Sequence, residues 1–374
     1  MTMDIQAIPR LNKESSRHTK LVDCDVHVAP VAADSIAAYL PQRWRHHNAR
    51  FYRTYQGDFY PRRSEYGERF DAWPPSGLRP GADLDFLRKQ HLDAWGIDIA
   101  VITPITHPSN QANLEFSAAL ARAMNEWQLE VWLEREPRLR GSILVPTEDP
   151  EAAATEIERW AHDHRFVQIY LYAGTLEPIG RRRYWKLFEA AESNRLPVAM
   201  HFGAAGPHAP TGAGFPSFYL EDHAGASTMF QDQVTSLAFE GVFVAFPNLD
   251  FVLIEGGFAW LAPLMWRLDA AWRKLGGEVP HVDRPPSELL REHLWYTTQP
   301  MEEPPNPQHF SAILEQLGGD ERLMFASDYP HWDFDAPDSA LPTSVTPESR
   351  RRIMGANACR LYGLELCTDS KGNG

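Results

Sequence analysis

The chain has 374 residues, of which 43% are hydrophobic and 23% are charged, and its formal net charge is −14. This composition is typical of a soluble globular protein, and a chain of this length buries a core without needing disulfide bonds. The acidic balance argues against nonspecific nucleic-acid binding, which requires a basic surface, although an anionic substrate can still bind in a local basic pocket.

The cysteines and the distribution of apolar residues indicate the compartment. Cys24, Cys359 and Cys367 have the spacing of neither a metal site nor a disulfide framework. The first twenty residues lack the apolar core of a signal peptide, and no apolar run has the length of a membrane span. We therefore expect a reduced, cytoplasmic protein with neither nucleic-acid nor membrane partners.

The first predicted strand is the run LVDCDVHVAP at 21–30, which is apolar yet carries Asp23, Asp25 and His27. Strand residues two apart face the same side. The spacing therefore predicts that all three ionisable side chains share one face at the end of a core strand. Cys24 is expected to face the other way, into apolar packing.

After residue 80, seven more strand patterns alternate with helical patterns. Each strand pattern is a short apolar run bounded by Pro, Gly, Asp or Asn, as buried parallel strands are. Eight strands alternating with helices predict an α/β fold, a distorted (β/α)8 TIM barrel; an open doubly wound sheet is the alternative, but no G-x-G-x-x-G follows a strand. The later strand patterns cover 97–104, 138–146, 165–174, 196–203, 249–257, 293–300 and 322–331, and the helical patterns cover 114–133, 150–162, 185–191, 259–275 and 307–317.

Two segments interrupt the alternation, and we predict inserted loops there, at about 41–83 and 204–222, in a single domain spanning 1–374. Loops of this length in a barrel are typically lids or binding loops. The first insertion is rich in arginine and aromatic residues, which suggests an anionic substrate with an apolar body and makes Arg45 and Arg53 candidate binding residues. A solvated or subunit-facing surface is an equal alternative.

Polar residues fall at the carboxyl ends of predicted strands one, five, six and eight, where barrel active sites form. Taken singly, each has an ordinary explanation as a loop residue, an Asx turn or a helix cap. Several carboxylates at one buried rim would repel each other without a cation, and imidazole and carboxylate are ligands of divalent cations. The pattern therefore predicts a metal site built from Asp25, His27, His201, Glu255 and Asp328.

These motifs resemble the amidohydrolase superfamily, and in particular its amidohydrolase-related branch, which contains aminocarboxymuconate-semialdehyde decarboxylase and resorcylate-type decarboxylases. The resemblance runs from DCDVHV through AMHFG and IEGG to FASDYPHWD, the most specific of the four. It implies a distorted barrel with a divalent metal, often zinc. The family ligands correspond to Asp25, His27, His201 and Asp328.

Two departures from the family pattern bear on the metal. The first-strand pair is commonly His-x-His, but this chain has Asp25-x-His27, and the usual sixth-strand His is Glu255. The oxygen-rich site makes iron or manganese credible beside zinc. The fourth strand offers Gln168 and Tyr170 in place of the carboxylated lysine of binuclear relatives. One ion is the simpler prediction, and a pair bridged by a carboxylate is the alternative.

The predicted activity is metal-assisted hydrolysis of an amide, ester or thioester, such as an acyl-CoA. Asp328 would accept the proton of the activated water, and His223 or His331 would stabilise the oxyanion. Both histidines are equally well explained as structural residues of a helix and a loop. The first alternative is nonoxidative decarboxylation of an aromatic or unsaturated acid, in which Asp328 protonates the carbon that loses CO2. The second is an inactive barrel that acts as a binding or assembly protein.

Two further predictions concern the surface. Trp332, directly after the DYPH motif, is expected at the rim of the site and in contact with substrate. The apolar helical pattern at 259–275 is expected to pack either against the barrel or in a subunit interface. Because similar proteins are commonly dimers, the resemblance implies a homodimer.

Overall fold

Eight parallel strands, paired in chain order from first to last, form the centre of the protein. The computed structural model describes residues 20–32, 34–51, 67–204, 209 and 211–365. The Cys24 N–H donates to the Phe325 carbonyl at 2.9 Å and the His27 N–H to the Tyr329 carbonyl at 2.7 Å, so the last strand returns to the first. The predicted (β/α)8 barrel is confirmed. The strands are β1 Val22–Val28, β2 Ile99–Pro104, β3 Leu139–Leu144, β4 Phe166–Gly174, β5 Val198–Ala204, β6 Phe251–Ile254, β7 Leu294–Thr297 and β8 Leu323–Met324.

Helices surround the barrel and connect successive strands, and all five predicted helices are present. Leu84–Leu87 and Leu114–Gln128 each continue into a π-helical turn. None of the helices in the described ranges combines the length and apolar character needed to cross a membrane. The helices are α1 Gln42–Phe51, α2 Leu84–Leu87, α3 Leu114–Gln128, α4 Pro150–Trp160, α5 Trp185–Ser193, α6 Tyr219–Phe239, α7 Val242–Ala245, α8 Leu261–Leu275, α9 Pro286–His293, α10 Gln308–Leu317, α11 Pro347–Arg351 and α12 Asn357–Leu361.

Local sequence explains where several helices begin. Asp149 accepts a hydrogen bond from the Ala152 N–H at 3.2 Å, and Pro150 takes the first helical position of α4, where a missing N–H costs nothing. Asn113 caps α3 in the same way, accepting from the Phe116 N–H at 3.0 Å. These caps fix the residues at which α3 and α4 begin.

The core has two layers. The outer layer lies between strands and helices, and the inner layer fills the barrel itself. Tyr362, after the C-terminal helix α12, packs into the inner layer and closes the N-terminal end of the barrel. The opposite end, at the carboxyl ends of the strands, is left to polar side chains. Seven strands contribute to the inner layer, through Val22, Cys24, Ile99, Val101, Val167, Ala199, Val252, Ile254, Trp295 and Met324.

The prediction that Asp23 shares a face with Asp25 and His27 is wrong. The pairing of β1 with β2 shifts register between Asp23 and Val26, and such a bulge changes the direction of the residues that follow. Cys24 packs in the apolar interior of the barrel, on the side of Asp25 and His27, so its predicted apolar surroundings are found but the prediction that it faces away from these residues is wrong. Asp23 points outward and bonds to His91 of the surrounding helical layer.

Both inserted segments contain helix within their described parts. Helix α1 lies in the first insertion and α6 begins at Tyr219 in the second. The end of the first insertion pairs with the loop after β8, because the Arg69 N–H donates to the Pro330 carbonyl at 2.9 Å and the Trp332 N–H to the Gly67 carbonyl at 3.2 Å. This pairing fastens the insertion to the mouth of the barrel.

Candidate active site

The five strand-end residues singled out from the sequence lie together at the mouth of the barrel, and His331 joins them. Their side chains are buried or nearly so. They fall into two overlapping groups whose nitrogen and oxygen atoms lie within 4.8 Å of one another. We call these six residues the mouth cluster. The first group is Asp25, His27, His201 and Glu255, and the second is His27, Glu255, Asp328 and His331.

The two strand histidines are oriented by backbone carbonyls. Nδ1–H of His27 donates to the Thr103 carbonyl at 2.8 Å, and Nδ1–H of His201 donates to the Phe202 carbonyl at 2.6 Å. Both imidazoles therefore turn Nε2 into the cluster. Fixing Nδ1 in this way is how proteins prepare a histidine to bind a metal through its other nitrogen. The Thr103 hydroxyl also donates to Asp25.

Two of the carboxylates stand on strained backbone. Glu255 and Asp328 both have φ of 57°, in the left-handed region that residues with a side chain seldom adopt. Strain of this kind persists only where the surroundings impose it, and it is concentrated at functional sites. Here it turns the side chains that follow β6 and β8 toward the barrel axis.

Imidazoles and carboxylates lie close together within the cluster. Nε2 of His27 lies 2.8 Å from Oδ1 of Asp328, and Nε2 of His201 lies 3.4 Å from both Oδ2 of Asp25 and Oε2 of Glu255. On the other side, Nδ1–H of His331 donates to Oδ1 of Asp328 at 2.7 Å. Three carboxylates and three imidazoles thus occupy one buried space.

Four atoms of the cluster are buried and make no hydrogen bond within the described part of the chain. They are two histidine nitrogens and two carboxylate oxygens, and buried polar atoms are seldom left in this state. Because Nδ1 of each strand histidine donates to a backbone carbonyl, Nε2 is the atom that would bind a cation after losing any proton that it carries. A divalent cation fits this donor set. The atoms are Nε2 of His27, Nε2 of His201, Oδ2 of Asp25 and Oδ2 of Asp328.

The cluster also shifts the acidity of its members. Burial raises the pKa of Asp328 to about 6, and Glu255 adds to this, while the His331 imidazole opposes it. Burial works against the charge of His201, but Glu255 and Asp25 raise its pKa to about 9. Asp328 is therefore the carboxylate of the site that most readily takes up a proton.

His223 and Trp332 lie beside the cluster at the mouth of the barrel. His223, in α6, donates from Nε2 to Oδ2 of Asp333 at 2.9 Å, and this bond raises the pKa of His223. Trp332 is 44% exposed, and its Nε1–H donates to the Tyr219 hydroxyl at 3.1 Å. The sequence did not single out Asp333, although it stands in the quoted motif; Gln299 holds the same carboxylate at 2.7 Å.

Tyr170 is a further residue of the site that the sequence named only as a replacement for lysine. Its ring lies 5.4 Å from that of His201, and its hydroxyl is buried with no partner in the described residues. Burial raises the pKa of Tyr170, and the carboxylates of Asp25, Glu255 and Asp328 add to this. An aromatic residue in an apolar strand has the same pattern as a core residue, so the sequence alone does not mark Tyr170 as functional.

The structure does not bring Arg45 to the cluster. Its guanidinium donates to the carbonyls of Leu40 and Ala38, at 2.8 and 3.0 Å, where it closes the helical turn Ser35–Tyr39. Arg53 lies outside the described residues. A role in substrate binding stays a prediction for both.

Curated relatives of the chain are decarboxylases. A gamma-resorcylate decarboxylase from Polaromonas sp. (strain JS666) is 27% identical over 311 residues, which cover 78% of this chain and 91% of that protein. A solved 5-carboxyvanillate decarboxylase from Sphingomonas paucimobilis has a TM-score of 0.68 at 21% identity, covering 92% of this chain and 99% of that one. A dihydroxybenzoic acid decarboxylase from Polaromonas sp. JS666, solved with manganese and the inhibitor 2-nitroresorcinol, has a TM-score of 0.65 at 20% identity over 93% and 98% of the two chains.

These relatives overturn the prediction of hydrolysis, including cleavage of an acyl-CoA thioester. Proteins similar over most of the chain are decarboxylases of aromatic acids. The physical reason for the error is that one set of ligands serves both reactions, since a cation that activates water also holds a carboxylate. The strand-end residues therefore carry no information about which bond breaks.

The family assignment extends over nearly the whole barrel. The amidohydrolase family model matches residues 22–364, from the start of β1 to the residues after α12. The matched range includes every residue of the mouth cluster. The chain belongs to the amidohydrolase family.

Proposed function

We propose that this protein is a metal-dependent decarboxylase that removes CO2 from an aromatic carboxylic acid without an oxidant. One observation carries the proposal: buried ligand atoms without hydrogen-bond partners in the described residues, one of them on Asp328, converge at the mouth of the barrel. The decarboxylase relatives, similar over most of the chain, support this choice of reaction.

The residues that would hold a divalent cation are Asp25, His27 and His201, together with Glu255 or Asp328. When bound, the cation supplies positive charge that holds the carboxylate and a neighbouring oxygen of the substrate. The oxygen-rich donor set favours manganese or iron over zinc. A single ion is favoured, because the two ligand groups share His27, whose one free nitrogen can bind one ion.

Asp328 is the residue we assign to proton delivery. In the metal-free protein burial raises the pKa of Asp328 to about 6, which makes it the carboxylate of the cluster that most readily takes up a proton. That proton passes to the ring carbon bearing the carboxylate, the bond to the carboxyl carbon breaks, its electron pair restores the ring, and CO2 leaves. His331, whose Nδ1–H donates to Asp328 and whose side chain is 13% exposed, connects the carboxylate to solvent for the return of the proton.

His223 and Trp332 are the side chains we assign to substrate binding. The Asp333 hydrogen bond raises the pKa of His223 and so favours its imidazolium form, which suits an anionic acid. The partly exposed Trp332 ring, 5.4 Å from that of His223, offers an apolar face to an aromatic body. The two together offer a basic group and an apolar face to an aromatic carboxylate.

The test uses manganese-loaded protein and a panel of hydroxybenzoates in D2O, with CO2 release and ring deuterium measured together. We expect deuterium at the carbon that lost CO2. Asp328→Asn should lower the rate at least about 100-fold, because it removes the proton donor. Asp338→Asn, an exposed aspartate on the same loop, is the matched control and should keep full activity. Incorporation of 18O from water into an acid product, without CO2, would contradict the proposal.

The remaining predictions concern assembly and location. We propose a single barrel domain over 1–374, a cytoplasmic location and a homodimer. Support for the dimer is the exposure of two large apolar side chains of α8, Trp266 at 53% and Leu275 at 65%. Light scattering of the wild type and of Trp266→Glu tests it, and a monomeric wild type would contradict it.

A further inference from the structure

Three alternate residues of β4, Gln168, Tyr170 and Tyr172, line the inner wall of the barrel below the site. Gln168, lowest on the wall, accepts a hydrogen bond from the Tyr362 hydroxyl at 2.8 Å. Tyr170 stands next and Tyr172 above it, with Tyr172 opposite His201 in the strand pairing. The three side chains share a face because they are two residues apart. Tyr170 therefore lies in the floor of the site, between the closed end of the barrel and the mouth cluster.

The three residues of this wall differ in one respect, which is whether their polar atoms are satisfied. Gln168 donates to the Ser142 hydroxyl at 2.9 Å, and the Tyr172 hydroxyl donates to the Ile105 carbonyl at 2.8 Å. The Tyr170 side chain is fully buried, and its hydroxyl has no partner in the described part of the chain. A buried hydroxyl without a partner costs free energy, so its retention calls for a ligand that completes it.

The position of the Tyr170 ring is fixed from two sides. The backbone carbonyl of Tyr170 accepts from Nε2–H of the buried His107 at 3.2 Å, and the His107 ring packs against Tyr172 at 4.4 Å. On the other side the Tyr170 ring contacts His201. A ring held in this way can direct its hydroxyl without further loss of side-chain freedom on binding.

We infer that Tyr170 is a substrate-contacting residue whose hydroxyl donates a hydrogen bond to an oxygen of the acid bound at the mouth cluster. The inference rests on the proposed function, in which the substrate is an oxygen-rich aromatic acid. The phenol O–H is a neutral hydrogen-bond donor, so it can bind a carboxylate or phenolate oxygen without adding a charge to the site. Site hydroxyls of this kind select substrates that carry the matching oxygen, because an unmatched analogue leaves the hydroxyl unpaired.

The experiment compares Tyr170→Phe with Tyr172→Phe, the same change two residues along the same strand. The probe is 2-nitroresorcinol, titrated into manganese-loaded protein and followed by its absorbance, so that binding is measured without turnover. Thermal unfolding of each metal-free variant is the second readout. We expect Tyr170→Phe to weaken the probe about tenfold, the effect of one hydrogen bond to a charged oxygen. Its melting temperature should be unchanged or higher, since a buried unpaired hydroxyl is removed.

Tyr172→Phe should give the opposite pattern, with a lower melting temperature and little change in probe affinity, because it removes a satisfied bond to the backbone. Equal probe affinity in wild type and Tyr170→Phe, or a loss of stability in Tyr170→Phe like that of Tyr172→Phe, would overturn the inference. So would a wild type that does not bind the probe. A wild type that binds the probe but releases no CO2 from any acid would contradict the proposed function alone.

Discussion

The Asp23 carboxylate accepts hydrogen bonds from both the backbone N–H and the hydroxyl of Ser327, at 2.9 and 2.6 Å. Ser327 directly precedes the strained Asp328. Asp23 also accepts from Nε2–H of the buried His91 at 2.8 Å and from the Asp25 N–H at 3.2 Å. One carboxylate behind the site thus ties β1 to the chain after β8 and holds the backbone on which two cluster aspartates stand.

Asp23→Asn should therefore destabilise the fold by about 2–4 kcal/mol, because it weakens a fully buried set of charge-assisted hydrogen bonds. Asp328→Asn, the same change on a cluster residue, should leave the metal-free protein equally stable or more stable at pH 7. Because the pKa of Asp328 is raised to about 6 in the folded protein, its ionised carboxylate lowers the stability of the fold above that pH. Asparagine carries no charge and removes this loss. Urea unfolding of both variants measures the difference. Equal losses of stability in the two variants would show that Asp23 has no special structural role.

The misplacement of Asp23 marks the limit of what strand periodicity can predict. All eight strands were predictable, since each is a short apolar run ending in a turn residue, and strand ends located the cluster. A one-residue bulge leaves no mark in composition, yet it reverses the side to which Asp23 points.

Helix α6 shows a second limit. Its first two turns, YLEDHAGAS, are polar and contain glycine, so no apolar stripe separates them from the preceding loop. An apolar pattern begins only at Met229, so a helix around His223 is predicted only as the structural alternative to a role at the site. The role of Tyr170 was not predictable for a different reason. It lies in an apolar strand, where a functional tyrosine cannot be told from an aromatic residue of the core.

Metal binding should depend on Glu255 and should release protons. Glu255→Gln is expected to weaken Mn2+ binding at least about 10–100-fold, because it removes a charged ligand from the first group. In the metal-free protein His201, with its pKa raised to about 9, holds a proton at pH 7 that a ligand must lose. Mn2+ affinity should therefore fall as the pH is lowered.

Calorimetric titration of chelator-stripped protein, in buffers of different ionisation enthalpy, measures both the affinity and the number of protons released. Glu192→Gln, at the end of α5 and far from the cluster, is the control and should bind Mn2+ as the wild type does. Unchanged affinity in Glu255→Gln would remove Glu255 from the ligand set and leave that place to Asp328.

Asp333 should set the pH range over which substrate binds. Its hydrogen bond raises the pKa of His223, against the effect of burial, so the imidazolium persists to higher pH. Asp333→Asn removes that support, and the pKa of His223 falls. KM for an aromatic acid should then begin to rise at a lower pH than in the wild type, with kcat changed less. A pH profile of kcat and KM from pH 5 to 9 checks this; identical profiles would mean that His223 does not bind the substrate carboxylate.

The final prediction concerns the charge network that joins the chain before β3 to α2. The buried Glu136 carboxylate accepts from Nε of Arg138 at 2.9 Å and from Nε of Arg88 at 2.8 Å. Arg138 lowers the pKa of Glu136 to about 2, with burial opposing and Arg88 assisting. Because the folded pKa lies below the unfolded value of about 4.3, the stabilisation is complete above that value and is lost as the pH falls toward 2. Glu136→Gln should cost about 2 kcal/mol at neutral pH and progressively less between pH 4 and 2, as measured by urea unfolding.

Glu177→Gln, which breaks more exposed pairs with Arg181 and Arg183, should cost much less, because solvent screens them. A loss in Glu136→Gln that stays constant down to pH 2 would show that packing, rather than charge, makes Glu136 important.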